Sequence, residues 1–243
     1  MTAPRVYCPG RLAPGQSFDL PERAARHVQV LRMQPNQDLV LFNGEGGQWR
    51  AVIERMGRSD VQVRVSMHEG VEREAAIAVH LAIGIPANER MDWVVEKATE
   101  LGCASIQPLV TARGILRVAG ERAQRKREHW QAIAAAACEQ SGRNRVPVVH
   151  EPAGYAEWIE GIAATDAHKV VLSLSESAQP LSLAGPLADG KQWVCLSGPE
   201  GGLDAREESA ATSAGFAAVS LGPRILRADT APIALLATIV LSS

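Results

Sequence analysis

The chain has 243 residues, with 25 Lys+Arg against 27 Asp+Glu, and is 46% hydrophobic and 21% charged. That is enough for one large domain or for two with separate cores, and the balance is ordinary for a globular protein. It excludes a polybasic tail protein, and a mean hydropathy of −0.05 excludes a membrane bundle.

The N-terminal region predicts short strands. Residues 37–42 (QDLVLF) read as a strand and run into Asn43-Gly44-Glu45-Gly46-Gly47, a strong turn signal. Residues 48–53 follow, and then residues 61–65 in strict apolar–polar alternation. Alternation puts one face in a core and the other in water, as in a small antiparallel barrel. Residues 21–31 read as a short helix between strands. The charged stretch 69–74, which contains Gly70, sets a boundary near residue 72, so the expected domains are 1–72 and 73–243.

After that boundary the pattern changes. Residues 76–85 form a nearly continuous apolar run, the mark of a strand buried on both faces. Asn88 can cap a helix with Met91, Val94, Val95, Ala98 and Leu101 at helical spacing, closed by Gly102. Residues 105–110 predict a strand. Residues 121–140 predict a long helix, basic at its start and alanine-rich at its end. Residues 169–174, 192–196 and 216–221 are strand-like, with helices between or after them. Such alternation implies an α/β domain with a mostly parallel sheet. The apolar run 231–241 is too short to span a bilayer and suits either an interface helix or a core.

The near-neutral total conceals local charge. Of the 25 cations, 21 are Arg, and only Lys97, Lys126, Lys169 and Lys191 are Lys. A guanidinium fork grips phosphate and stacks on bases as an ammonium cannot. Residues 111–145 hold 8 cations and 3 anions, whereas residues 146–205 hold 2 and 8. The basic stretch is either a phosphate-binding surface or a solvated helix face. Cys8, Cys103, Cys138 and Cys195 form no CxxC, and no His or Cys stands at zinc-ligand spacing, so no metal is expected. The N-terminus lacks an apolar signal core, and a cytoplasmic protein is expected.

Three late strands run into candidate ligand loops. These are Ser175-Glu176-Ser177, then Ser197-Gly198-Pro199-Glu200-Gly201-Gly202-Leu203, then Gly222-Pro223-Arg224-Ile225-Leu226-Arg227-Ala228-Asp229-Thr230. In open α/β sheets ligands bind at the carboxyl ends of strands, and glycines let backbone amides come close to them. No GxGxxG follows a first strand, and neither GxxxxGK[ST] nor GxSxG occurs.

The pair of Gly-Pro loops, 198–202 and 221–227, carries a resemblance. So do Arg90-Met91-Asp92-Trp93-Val94-Val95-Glu96-Lys97-Ala98-Thr99-Glu100-Leu101-Gly102, Glu139-Gln140-Ser141-Gly142-Arg143 with Val146-Pro147, and His27, Leu31-Arg32 and Asn43-Gly44. The sequence is similar, along essentially its whole length, to the ribosomal RNA small subunit methyltransferase E family. The resemblance implies a PUA-like N-terminal barrel that binds RNA and a SPOUT α/β domain with a deep trefoil knot. It also implies a homodimer and methyl transfer from S-adenosylmethionine to N3 of one uridine in 16S rRNA. It places Gly198, Pro199, Glu200 and Gly201 on one side of the cofactor and Leu221, Gly222, Ile225, Leu226 and Arg227 on the other. Leu174 and Leu196 join them from neighbouring strand ends. The chain departs from the family in having Asp229 where Glu is usual and Pro232 where a small residue is frequent.

Methyl transfer is an in-line displacement, so orientation supplies much of the rate. Uridine N3 becomes nucleophilic when its proton leaves, and negative charge then spreads onto O2 and O4. A positioned cation stabilises that charge. Arg227 is the first candidate and Arg143 the second. A carboxylate can take the proton, and Glu200 and Asp229 are the local candidates, although either could instead stabilise a loop or a helix N-terminus. RNA binding is expected at Arg5, Arg11 and Arg32 and along the basic stretch at Arg113, Arg117, Arg122, Arg125, Arg127, Arg143 and Arg145. The rival readings are a SPOUT enzyme acting on a ribose 2′-hydroxyl or a guanine, a non-catalytic ribosome-assembly protein, and a binder of some other nucleotide.

Overall fold

The alternating N-terminal segments pair into one five-stranded sheet. The structure is a computed structural model and describes residues 3–87, 90–114, 119–181 and 192–242. Its contacts divide the chain into two units. The first comprises residues 1–74 with 135–146, and the second 75–134 with 147–243.

The first unit contains β1 (Arg5–Tyr7), β2 (Ser17–Asp19), α1 (Glu22–Val30), β3 (Asp38–Phe42), β4 (Gln48–Met56) and β5 (Val61–Glu69). The sheet order is β1-β3-β4-β5-β2, with only the β1–β3 pair parallel. The alternation of β5 works as its sequence implies: Val61, Val63 and Val65 are buried, whereas Arg64 is exposed. These valines join Val6, Leu39, Leu41, Ile53 and the α1 residues Ala24, Ala25 and Val28 in one apolar core. Strand β4 outruns the predicted segment, and register shifts near Arg50 and Ile53 bend it against β5. Three-residue β1 and β2 are too short to show a period, which is why alternation did not reveal them.

The second unit contains β6 (Val79–Gly84), α2 (Arg90–Glu100), β7 (Ser105–Val110), α3 (Gly120–Ser141), β8 (Val148–Val149), β9 (Ala153–Gly154) and α4 (Tyr155–Ile162). It continues with β10 (His168–Leu172), β11 (Gln179–Pro180), β12 (Trp193–Ser197), α5 (Ala205–Ser213), β13 (Ala217–Ser220) and α6 (Thr230–Leu241). Residues 135–141 of α3 belong to the first unit. The sheet order is β11-β13-β10-β12-β6-β7-β8, with β9 beside β7, and every pair is parallel. Helix α2 buries Met91, Val94, Val95 and Ala98, the stripe its spacing predicted. Asn88, its expected cap, lies outside the described residues. Helix α5 starts at a capping box: the Asp204 carboxylate accepts the Arg206 and Glu207 N–H groups, and Glu207 accepts the Asp204 N–H at 2.9 Å. Helix α6 packs on β12, β6 and α2.

Among the described residues no helix is long and apolar enough to cross a membrane, and no group of three or more His, Cys, Asp or Glu could hold a metal. All four cysteines are buried thiols, and burial pushes Cys8 up to about 11 and Cys138 up to about 12.

Candidate functional site

Strand β10 lies between β12 and β13, so the three predicted loops emerge side by side. The β12 and β13 loops, with the residues at the end of β10, line a cavity of about 290 Å³ at the carboxyl ends of these strands, whereas Ser175, Glu176 and Ser177 of the first predicted loop are not in its wall. Leu172, Ser173 and Leu174 line it from β10 and its loop. Residues 197–203 line it from the β12 loop. Val219 and Ser220 line it from β13, and Leu221, Gly222, Arg224, Ile225, Leu226 and Ala228 from the loop that follows, with Arg113, Glu208 and Ala231 completing the wall.

Two of the glycines are required by geometry. A Cβ at Gly198 would stand 2.7 Å from the Gly202 carbonyl carbon and 2.8 Å from the Leu203 nitrogen, both backbone atoms. Gly222 has φ +106°, a conformation L side chains rarely adopt.

Polar contacts hold the β12 loop from outside. The Glu200 carboxylate accepts the Ala87 N–H at 3.1 Å and Arg90 Nη1 at 3.0 Å. Arg90 Nε also stands 4.0 Å from Asp229 Oδ2. Asp229 Oδ1 accepts the Thr230 N–H at 2.9 Å and so caps α6. Arg113 Nη1 donates to the carbonyls of Gly201 at 2.9 Å and Leu203 at 3.2 Å. The Ala112 N–H donates to Glu207 Oε1 at 2.7 Å, which ties the same turn to the cap of α5.

Of the residues assigned to the cofactor, Leu174, Gly198, Pro199, Glu200, Gly201, Leu221, Gly222, Ile225 and Leu226 line the cavity. Leu196 is a correction: it is completely buried inside β12 and packs in the core with Val171, Val194 and Leu203, not in the cavity wall. Arg227 is exposed on the loop leading to α6, and Arg224 is the arginine of that loop that lines the cavity. Asp229 stands at the head of α6, outside the lining. Ser197 and Arg224 stand in the candidate ligand loops with no role assigned by sequence, whereas Ser173 and Glu208 lie outside those loops and carry no motif of their own. Sequence reading quoted Arg90 without giving it a role.

The basic residues separate by burial. Arg11, Arg32, Arg122 and Arg125 are exposed, with Arg125 paired to Glu121 at 2.8 Å one helical turn away. Arg143 is a correction. It is 4% exposed and its guanidinium is held by Glu74, so it is closed to phosphate and to a substrate base. Arg5 is half-buried and donates to Gln48 Oε1, to the Arg143 carbonyl and to Asn144 Oδ1. Arg113 grips the β12 loop, a place the basic stretch did not suggest. Arg117 lies outside the described residues.

The family profile for the RNA methyltransferase domain matches residues 73–240, and that for the RNA methyltransferase PUA domain matches residues 20–66. Ribosomal RNA small subunit methyltransferase E of Bacillus subtilis is 30% identical over 92% of this chain and 89% of its own length. The protein of that name from Synechocystis is 35% identical over 87% of this chain and 68% of its own length. The chain belongs to the ribosomal RNA small subunit methyltransferase E family. The methyltransferase E of Neisseria gonorrhoeae, solved bound to S-adenosyl methionine, superposes with a TM-score of 0.88 at 35% identity, covering 98% of this chain and 97% of that one. A Legionella pneumophila protein solved with the bound cofactor SAM gives 0.89 at 34% identity, covering 100% of this chain and 98% of that one.

Proposed function

We propose that this chain is an S-adenosylmethionine-dependent methyltransferase that modifies N3 of one specific uridine in the 16S rRNA of the small ribosomal subunit. The observation that carries this reading is the cavity at the ends of β10, β12 and β13 in a chain of this family. Its chemistry fits the cofactor. Three loops, two of them glycine-bearing, present backbone N–H and C=O groups for the edge of a purine, and Leu172, Leu174, Leu203, Ile225 and Leu226 offer apolar cover for its faces. When bound, S-adenosylmethionine supplies a methyl group on a positively charged sulfur.

The protein's own residues orient the reactants and manage charge. Uridine N3 gives up its proton, and its lone pair would bond the methyl carbon in line as the carbon–sulfur bond breaks and its electron pair returns to sulfur, so that S-adenosylhomocysteine leaves. Arg227, exposed beside the cavity loop, is the proposed cation for the charge that develops on O2 and O4. Asp229 and Glu200 are the carboxylates available to the proton.

Residues 1–72 are the proposed PUA-like RNA-binding domain. Residues 73–243 are the proposed SPOUT domain, in which the loops of the parallel sheet form a trefoil knot. Exposed Arg11, Arg32, Arg122 and Arg125 supply phosphate contacts. The proposed working form is a cytoplasmic homodimer. Trp93 on α2 is 42% exposed and Leu241 on α6 is 76% exposed, on helices that pack together, and a second copy would cover them.

The test incubates the protein with isotopically labelled S-adenosylmethionine and small-subunit RNA or particles lacking the modification, then identifies the labelled nucleoside. Labelled 3-methyluridine is expected. A methylated ribose or guanine would replace the uridine reading, and no transfer to RNA or particles would remove the enzymatic one.

A further inference from the structure

Two carboxylates stand near the cavity with different surroundings, and one arginine lies between them. Glu200 is occupied: its two oxygens accept the Ala87 N–H at 3.1 and 3.2 Å, and Oε1 also accepts Arg90 Nη1 at 3.0 Å. Ala87 lies beyond β6 and Arg90 opens α2, so these bonds tie the β12 loop to the chain that follows the neighbouring strand. Asp229 uses Oδ1 for the Thr230 N–H at 2.9 Å and the Thr230 hydroxyl at 3.3 Å, both within its own helix cap, whereas Oδ2 stands 4.0 Å from Arg90 Nε. The side chains of Arg90, Glu200 and Asp229 are each about two-thirds buried or more, where a charge-assisted contact is worth more than on an open surface.

We propose that Arg90 is a positioning residue that fixes Glu200, and with it the β12 loop, so that Glu200 anchors the cofactor loop and Asp229 is left as the carboxylate available to the substrate proton. The inference rests on the methyltransferase reading above and assigns different work to two groups which that reading leaves equivalent. A carboxylate whose two oxygens share the Ala87 N–H and accept Arg90 Nη1 weakens both contacts on taking a proton. Once protonated it also loses the charge that holds the Arg90 guanidinium.

The test compares R90A, R90K, E200Q, D229N and the double variant R90A/E200Q with the parent protein. Calorimetry reads the S-adenosylmethionine Kd, and steady-state assays read kcat and its pH profile. R90A is expected to weaken cofactor binding by about tenfold or more, the size of a lost charge-assisted hydrogen bond. R90K should recover part of that loss. E200Q should weaken cofactor binding as R90A does yet keep the acid limb of the kcat profile, and the double variant should be little worse than either single one. D229N should lower kcat with cofactor Kd nearly unchanged. Loss of kcat in E200Q with cofactor affinity intact overturns the proposal, because Glu200 would then act on substrate. Unchanged cofactor Kd in R90A overturns it too. Parent protein that binds no S-adenosylmethionine would overturn the methyltransferase reading itself, and this inference with it.

Discussion

Arg113 reaches the loop after β12 and donates through one nitrogen to two of its carbonyls, Gly201 at 2.9 Å and Leu203 at 3.2 Å. Its own turn is held in place because the preceding Ala112 N–H is bound by the α5 capping residue Glu207. Removing the side chain deprives two loop carbonyls of a charged donor, at a cost of about 1.5–3 kcal/mol per such bond. R113A should therefore raise the S-adenosylmethionine Kd by about a hundredfold or more and leave the salt dependence of RNA binding nearly unaltered. Calorimetry and RNA titrations at several salt concentrations check both halves.

The reassignment of Arg113 illustrates what a linear sequence can express. The strands β10, β12 and β13 were legible because buried parallel strands leave apolar runs, and the cavity loops because glycine and proline mark them. Those signals are local. Burial of Arg143 is not local: it depends on Glu74, 69 positions away in the chain, so a basic run read by count could not separate it from exposed Arg122. Arg90 was hidden for the same reason, since its partner Glu200 is 110 positions away. Leu196 misled because it directly precedes a ligand loop, while the pleat of β12 turns it into the core. The two-residue strands β8, β9 and β11 have no period to detect.

Gly198 and Gly222 are both glycines of cavity loops, but they are needed for different reasons. G198A drives a Cβ into backbone atoms of the same loop at 2.7 and 2.8 Å, which cannot be relieved by moving a side chain. G222A meets nothing within 4 Å and costs only its left-handed conformation, about 1 kcal/mol. Cofactor binding should be abolished in G198A and weakened only several-fold in G222A, about what 1 kcal/mol allows, with the circular dichroism of both close to that of the parent. Equal losses would show that the tight turn at Gly198 does not shape the cavity.

Stability should fall in mild acid. His80 sits in β6 with Nδ1 2.7 Å from Ser105 Oγ and Nε2 3.1 Å from Gln192 Oε1. Burial holds its pKa below the ordinary histidine value, against an opposing contribution from the Gln192 bond. His150 is shifted the same way, first by burial and then by His80 and Arg127. Both imidazoles thus stay neutral in the folded protein at pH values where the unfolded chain is protonated. Between the folded pKa and about 6.5 the unfolded state binds more protons, so stability rises with pH across that window and is lost as pH falls through it. The melting temperature should be lower at acid pH than at neutral pH, and H80Q should narrow the difference. An identical pH dependence in H80Q would remove His80 as a source.

Arg143 and the pair Arg122 and Arg125 should fail in opposite ways. Arg143 is 4% exposed and bound to Glu74, and its carbonyl accepts a bond from Arg5. R143A leaves Glu74 without its buried partner and should cost roughly 3 kcal/mol of stability, read as a lower denaturation midpoint. RNA affinity measured below that midpoint should keep its salt slope, because a buried guanidinium neutralises no phosphate. Arg122 and Arg125 are exposed near the start of α3, and the Glu121 pair held by Arg125 is a surface interaction worth less than about 1 kcal/mol. R122E/R125E should therefore melt near the parent and bind S-adenosylmethionine normally. For each phosphate that these arginines neutralise in the parent complex, the slope of log K against log salt should be lower by about 1 in the variant. If R122E/R125E binds RNA with the parent's slope, the basic start of α3 is only a solvated face, and phosphate binding must come from other exposed arginines such as Arg11 and Arg32.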